Sequence, residues 1–181
     1  SEMCIRDRLG MVLENARLFE ETNRRLTEAK LVQEVTLASA STLDFDLVLE
    51  RAVKALYRTL GIDMLGFLLP DEQRGVLVPH PSLVGFPEGA FHVPIQGSLV
   101  GQAYQTGHPL LVRDTAEEPG SFEYAPDVRS ALALPVWVGD RVVAVLHAES
   151  SQVGAFGKHE LRLFTTIAGQ LGVALENAHL Y

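Results

Sequence analysis

Few side chains in this sequence are of the types that act as nucleophiles. Cys4 is the only cysteine, so an internal disulfide is impossible and thiol chemistry is confined to one position. Ser98 lies in the segment GSLVG at residues 97–101. In a nucleophile elbow one residue separates the first glycine from the serine, which ends a strand, whereas Ser98 directly follows Gly97. We therefore interpret Ser98 as the N-cap of a helix, and no catalytic residue is predicted.

The histidines do not form a zinc motif, because no two of them are three or four residues apart. They are His80, His92, His108, His147, His159 and His179. A single histidine can still ligate haem iron. His147, on a predicted core strand, is therefore either a buried, hydrogen-bonded imidazole or an iron ligand, and the sequence favours the first. No metal site is predicted.

Composition limits the classes of partner. The chain has 181 residues and a formal net charge of −8, which disfavours binding to nucleic acid or to an anionic membrane surface. The length and the hydrophobic fraction of 47% suit one domain with an appendage. The longest apolar stretch, residues 131–138, is far shorter than the roughly 20 residues of a membrane helix. With a single cysteine, a reducing, cytoplasmic location is expected.

One segment occurs twice. Residues 9–19 read LGMVLENARLF and residues 171–181 read LGVALENAHLY, with seven of the eleven positions identical. Helix propensity explains the leucines and alanines but not the shared LENA followed by leucine and an aromatic ring. The copies lie too far apart to be units of a solenoid. The repeat indicates equivalent helices that join successive modules, with residues 9–40 as the exit helix of an upstream module.

Residues 9–40 contain no proline, and their apolar residues alternate at spacings of three and four, which is typical of a coiled-coil seam. Asn23 either fixes the register of a two-stranded coil or lies in a solvated turn of a linker. A second register through Leu13 is nearly as good. Residues 1–8 show no apolar period and are left unassigned. The candidate dimer-interface residues are Leu9, Val12, Ala16, Phe19, Asn23, Leu26, Leu171, Leu175 and Ala178.

The rest of the chain predicts two helices that flank a run of strands with one short helix inside it. Because there is no regular alternation of strand and helix, the fold class is α+β with a mainly antiparallel sheet. Helices are predicted from about Asp44 to Gly61, over residues 98–106 and from about Gly157; strands are predicted over residues 64–69, 76–80, 91–95, 110–112, 130–138 and 141–149; a loop is predicted over residues 114–127.

Taken in order, several segments resemble the GAF domains, which are ligand-binding and dimerising modules of signalling proteins. The matching segments are GSLVG at 97–101, TGHP at 106–109, VRD at 112–114, RSALALPV at 129–136, GDRVVAVL at 139–146, and Phe156, Glu160, Leu163, Ala168, Gln170, Asn177 and Ala178 of the last helix. Departures from the family pattern occur at Ala144, His147 and Gly157. The resemblance covers residues 31–181, and the domain itself is placed at residues 41–181.

The resemblance implies a five- or six-stranded sheet with the terminal helices on one face. A ligand pocket would lie on the other face, under the short helix at 98–106 and the loop at 114–127. The resemblance also implies a homodimer and an output domain in the same chain, such as a histidine kinase of a two-component system, a diguanylate cyclase or a phosphatase. Fold alone does not identify the ligand.

Covalent attachment of a bilin is not expected, because Cys4 lies far outside the domain. The same absence of cysteine argues against the family members that reduce free methionine sulfoxide. The NKxFxDE pattern of many cyclic-nucleotide-binding members is missing, although other side chains can supply equivalent donors. No cofactor is predicted, and the small-molecule partner is not identified.

The candidate ligand-binding residues combine aromatic rings with a few polar groups, a mixture that suits a planar or apolar molecule. They are His80, Phe91, Val93, Leu99, Tyr104, Phe122, Tyr124, Arg129 and His147. The rings either line a pocket or close a core over an empty one. Arg129 is either an anchor for a carboxylate or phosphate or a surface residue at the start of a strand.

The sequence thus predicts a non-catalytic sensory module that binds a small molecule and dimerises through its terminal helices. Two other functions remain open. One is a dimerisation spacer without ligand, and the other is a haem or redox sensor that uses one histidine.

Overall fold

The structure is a computed structural model that describes residues 2–40, 42, 44–86, 91–118 and 127–179. Within these residues, four α-helices flank a six-stranded sheet. The helices are α1 (Glu2–Ala40), α2 (Phe45–Leu60), α3 (Leu99–Thr106) and α4 (Lys158–His179); the strands are β1 (Met64–Asp71), β2 (Val76–Pro79), β3 (Val93–Pro94), β4 (Leu110–Val112), β5 (Ser130–Val138) and β6 (Arg141–Ser150); a 3-10 turn covers Thr115–Glu117. The predicted α+β class is confirmed.

Helix α1 begins at Glu2, so the helix includes most of the residues left unassigned by their lack of apolar period. Its side chains are exposed from Ile5 to Glu20. Only near its end does the helix join the domain, where Leu31 and Val35 are fully buried. The first two thirds of α1 therefore form a rod that leaves the domain, and the last third is part of the core.

Local sequence signals set the ends of the inner helices. The Asp44 side chain accepts a hydrogen bond from the Leu47 N–H at 3.1 Å and caps α2. Gly61 closes α2 with φ 60°, a left-handed conformation that glycine adopts without strain. Ser98 accepts the Gly101 N–H at 2.9 Å at the start of α3. Ser98 is thus a helix cap, as its position after Gly97 indicates.

The sheet has the strand order β3-β2-β1-β6-β5-β4 and all of its pairs are antiparallel. β5 and β6 form its centre, with Ser130 opposite Ser150 at one end and Val138 opposite Arg141 at the hairpin turn. β1 pairs with the other edge of β6. The GAF-like sheet of five to six strands is confirmed, with six strands among the described residues.

Successive side chains along each strand point to opposite faces of the sheet, so the apolar residues form two separate cores. The helix-side core lies between the sheet and helices α1, α2 and α4, and contains Leu134, Leu146 and Ala148. The α3-side core lies on the opposite face, and contains Ala133, Val145 and Leu99. This layering matches the expected arrangement, with the terminal helices on one face and α3 on the other. No helix in the described ranges combines the length and apolarity needed to cross a bilayer.

Helix α4 packs on the sheet at very short range. At Gly172 a β-carbon would meet the Trp137 carbonyl oxygen of β5 well inside van der Waals contact. Leu171 and Leu175 flank this glycine and are fully buried. At the N-terminus of α4, a carboxylate oxygen of Glu160 accepts the Gly157 N–H at 2.8 Å, which is half of a capping box. The sequence therefore positions α4 through one cap and one glycine.

Asp63 fixes the end of β6, where the strand leaves the sheet. One of its carboxylate oxygens accepts hydrogen bonds from the Ser151 N–H at 2.9 Å, the Ser151 hydroxyl at 3.0 Å and the Ser150 hydroxyl at 3.0 Å. The backbone hydrogen bond from Ser151, helped by the two hydroxyls, lowers the pKa of Asp63. The carboxylate thus stabilises the fold above its ordinary pKa, and this contribution is lost as the pH falls through the lowered value.

We expect Asp63→Asn to destabilise the domain by about 1 kcal/mol near pH 7, because Asp63 is exposed and its charged hydrogen bonds are partly screened. The difference from the wild type should start to shrink once the pH falls below the ordinary range of an aspartate pKa, and should shrink further as the pH approaches the lowered pKa of Asp63. Urea unfolding midpoints between pH 7 and pH 3 measure this. Asp7→Asn, on the free part of α1, is the control, and an equal pH dependence in both variants would contradict the assignment.

Candidate functional site

Two polar side chains lie side by side on the α3 side of β6. His147 and Glu149 are two residues apart on one strand and so share a face of the sheet. Their side chains are buried, with 4% and 6% exposure. Nε2 of His147 lies 2.7 Å from Oε1 of Glu149. An imidazole and a carboxylate are therefore held together in a largely apolar layer.

Among the described residues, the other polar atom of each side chain has no hydrogen-bond partner. Nδ1 of His147 and Oε2 of Glu149 are both buried and unsatisfied. Burial of a polar group without a hydrogen bond costs free energy, so native proteins usually satisfy such atoms with protein, water or a bound group. Two unsatisfied atoms on hydrogen-bonded neighbours make this pair the strongest binding candidate in the described part of the chain.

The strands on both sides of the pair carry small residues. Ala133 and Ala131 of β5 lie opposite His147 and Glu149, and Gly66 of β1 lies opposite His147 from the other edge. Leu83 covers Gly66, where a β-carbon would meet it. Short side chains on the two neighbouring strands thus surround two longer polar ones on the α3 side of the sheet.

Aromatic rings lie next to the histidine. The ring centre of Phe86 is 6.1 Å from that of His147 at an interplanar angle of 37°. Phe86 also stacks on Phe91 at 6.0 Å and 26°. Aromatic faces carry partial negative charge and attract cations. The site thus combines a carboxylate, an imidazole and two rings.

The structure brings together only part of the predicted ligand-binding set. Val93 and Leu99 are buried in the α3-side core, against which Phe91 and Tyr104 pack. Of these residues, Phe91 reaches the His147 environment through its contact with Phe86. The Tyr104 hydroxyl donates to Glu72 at 2.7 Å. Burial and this hydrogen bond raise the pKa of Tyr104.

His80 lies apart from the other candidates. Its Nε2 is 3.3 Å from Asp46 near the start of α2, and its Nδ1 is 2.8 Å from the Ser82 hydroxyl. Val78, two residues before His80, is on the same side of the strand as His80. Val78 pairs with Leu69, which packs against the helix-side core. The alternation of β2 therefore directs His80 towards the helices, away from His147.

Arg129 is engaged within the protein. Its guanidinium donates to both carboxylate oxygens of Asp114, at 3.2 and 3.3 Å. Asp114 also accepts the Ala116 N–H at 3.0 Å. This backbone hydrogen bond, together with Arg129, lowers the pKa of Asp114. Arg129 thus ties the start of β5 to the preceding loop. Phe122 and Tyr124 lie outside the described residues.

Glu149 and Phe86 are the two site residues that the sequence analysis missed. Strand alternation indicated Glu149, because His147 and Glu149 are successive polar residues on one face of a strand that is otherwise apolar from Val142 to Ala148. Phe86 lies in a segment without periodicity between β2 and β3. Its position next to His147 depends on tertiary packing, which short-range sequence patterns do not reveal.

The residues predicted for a dimer interface separate into two groups. Leu9, Val12, Phe19 and Leu26 are exposed on the free part of α1, with 51–68% exposure, and Ala16 and Asn23 are exposed beside them. Leu171 and Leu175, in contrast, are fully buried in the helix-side core of their own chain. The heptad spacing of α4 therefore reflects packing on the sheet, and Ala178 is half-buried.

Comparisons with known proteins agree on the fold. The family model of the GAF domain matches residues 42–176. Protein YtsP of Bacillus subtilis (strain 168) is 27% identical over 151 residues, which are 83% of this chain and 84% of that protein. A putative GAF sensor protein from Burkholderia vietnamiensis is similar with a TM-score of 0.78 and 18% identity, over 86% of this chain and 98% of that one.

An enzyme is also among the similar structures. The free methionine-R-sulfoxide reductase of Neisseria meningitidis, solved with its substrate, has a TM-score of 0.79 and 22% identity, over 84% of this chain and 90% of that one. The expectation of a non-catalytic module is therefore wrong, because it excluded catalysis for a domain whose similar structures include enzymes. What the family supports is a sensory or regulatory module. With the family model covering most of its length, this chain belongs to the GAF domain family.

Proposed function

We propose that this GAF domain binds a small molecule with a primary ammonium group, in the class of free amino acids, against His147 and Glu149. The observation that carries the proposal is the pair of buried, unsatisfied atoms Nδ1 of His147 and Oε2 of Glu149. A ligand that hydrogen-bonds to both atoms would remove the cost of leaving them unpaired.

The hydrogen-bonding roles of the pair favour a donor-rich ligand. An ionised Glu149 only accepts, so in the neutral ring of His147 the shared hydrogen bond assigns the proton to Nε2 and leaves Nδ1 as an acceptor. Both unsatisfied atoms then accept. An ammonium group has three donors and a positive charge, which suits the carboxylate and the nearby rings of Phe86 and Phe91. The Neisseria reductase, which acts on a free amino acid, supports this ligand class by analogy of fold.

The sheet connects the proposed site to the helices. His147 faces the site, whereas its neighbours Leu146 and Ala148 face the helix-side core that contains Leu171 and Leu175 of α4. A ligand that binds one arrangement of β6 better than another would shift the population of α4 positions. In this proposal α1 and α4 carry the change to an output domain, such as a histidine kinase, diguanylate cyclase or phosphatase.

The free part of α1 suits a role in dimerisation. Val12, Phe19 and Leu26 are seven residues apart, exposed and on one face of the helix. We assign this face to a parallel two-stranded coil with a second copy of the chain. Sedimentation of Phe19→Glu should show loss of the dimer, whereas Met11→Glu, at an equally exposed position outside this face, should retain it.

Thermal melting with free amino acids tests the ligand class. A mixture of free L-amino acids with methionine-R-sulfoxide should raise the melting temperature according to RT ln(1 + [L]/Kd). The matched N-acetyl amino acids, which lack the ammonium group, should not. An equal shift with both sets would exclude the ammonium as the recognised group, and no shift with any compound would favour a ligand-free spacer. Mass analysis of a bound compound after incubation distinguishes binding from conversion.

A further inference from the structure

We infer that residues 9–16 of α1 dock onto the sheet of a second module of this fold in the same polypeptide, through Leu9, Gly10 and Leu13. The basis is the repeated segment, since residues 9–16 and 171–178 differ only at two positions. α4 shows what this sequence does when it is packed, and α1 shows the same sequence without its partner.

In α4 the repeated segment packs on a strand. Leu171 and Leu175 are fully buried, and the backbone at Gly172 lies against the Trp137 carbonyl of β5. Glycine is required at this contact, because a β-carbon would overlap the carbonyl oxygen. The pattern of leucine, glycine and leucine at positions 171, 172 and 175 is therefore a signature of close packing between a helix and a sheet.

In α1 the same three residue types occur at the same spacing but are exposed. Leu9 and Leu13 have 62% and 65% exposure. A β-carbon on Gly10 would meet no atom within 4 Å. Glycine is unfavourable in the interior of an exposed helix, and two leucines beside it add exposed apolar area. Leu9, Gly10 and Leu13 are thus typical of a helix face that packs on another element, and no described residue covers them.

The apolar face formed by Leu9, Gly10 and Leu13 is followed by charged residues on the same side of α1. Positions four, seven and eleven residues after Leu13 continue the same side of the helix, and they are Arg17, Glu20 and Arg24. All three are exposed. The core of this domain first takes up α1 at Leu31. The docking face is thus limited to the first part of α1 and is separated from this domain by a charged stretch.

A second copy of this domain does not provide a free sheet face, because its own α1, α2 and α4 already cover the helix side. A preceding module of the same polypeptide, with α1 as its closing helix, does provide one. The proposed coiled-coil residues Val12, Phe19 and Leu26 lie on the adjacent side of α1. One helix can therefore pack on the preceding sheet and pair with its dimer partner at the same time.

Substitution of Gly10 tests the inference. The experiment uses a longer polypeptide that includes all the residues encoded before Leu9. Gly10→Ala should lower the melting temperature of the preceding module by at least about 5 °C, whereas the same substitution in the 181-residue chain should leave melting unchanged or raise it. Gly169→Ala, at an exposed site in α4 with no atom near a β-carbon, is the control. An unchanged melting temperature in the longer polypeptide would overturn the proposal.

Thiol labelling distinguishes the docked sheet from the coiled coil. In a Cys4→Ser background, Leu9→Cys in the longer polypeptide should react at least about tenfold more slowly than Met11→Cys, at every protein concentration. The 181-residue chain lacks the preceding sheet, so there Leu9→Cys and Met11→Cys should react at equal rates once the protein is diluted to the monomer. Equal labelling of the two positions in the longer polypeptide, or protection of Leu9→Cys that disappears on dilution, would contradict docking within one polypeptide.

Discussion

Gly172→Ala is expected to destabilise the domain by about 2–3 kcal/mol. The added β-carbon would overlap the Trp137 carbonyl oxygen, which is backbone of a central strand and cannot rotate away. Either α4 moves off the sheet or β5 distorts, and both outcomes expose part of the helix-side core around Leu171 and Leu175. Urea unfolding followed by far-UV circular dichroism measures the loss.

The matched control lies one turn earlier in the same helix. Gly169 is exposed, and a β-carbon there would meet no atom within 4 Å. Gly169→Ala should therefore stabilise the domain by up to about 1 kcal/mol through helix propensity alone. If Gly172→Ala were as harmless as Gly169→Ala, the close contact between α4 and β5 would not exist in solution.

The double substitution His147→Leu with Glu149→Met should stabilise the unliganded domain by about 1–4 kcal/mol while removing ligand binding. Replacing a buried charged or polar pair by apolar groups of similar volume is often neutral or stabilising. Here the gain is expected to be large, because two atoms of the pair are unsatisfied. Such a gain in stability would show that the pair is kept for a reason other than folding.

The single substitution Glu149→Met separates binding from packing. It leaves the Nε2 of His147 buried without its partner, so the unliganded domain should lose about 1–3 kcal/mol. Chemical unfolding of the single and double variants side by side measures the difference. A double variant less stable than the single one would mean that His147 has a structural partner other than Glu149.

Short-range signals in the sequence were sufficient for most of the fold. Asp44, Gly61 and Ser98 set helix ends through their own backbone and side-chain geometry. The apolar runs of β5 and β6 on either side of the turn at Gly139 predicted a hairpin. Each of these features depends on neighbouring residues alone, which is why a single sequence reveals them.

Features that depend on distant contacts were less accessible. His80 lies by Asp46, a residue far away in the sequence, and Arg129 is paired with Asp114 across a loop. In α4 a heptad pattern that also suits a coiled coil is buried on a sheet. Periodicity identifies an apolar face but not the surface that covers it.

The central claim is that His147 and Glu149 recognise an ammonium group, and calorimetric titration of free L-amino acids into the wild type and the double variant tests it most directly. The wild type should release heat that saturates, and its matched N-acetyl titration should not. The variant with His147→Leu and Glu149→Met should remain folded and give no binding heat. Saturable binding of the same free amino acids by that folded variant would contradict the claim.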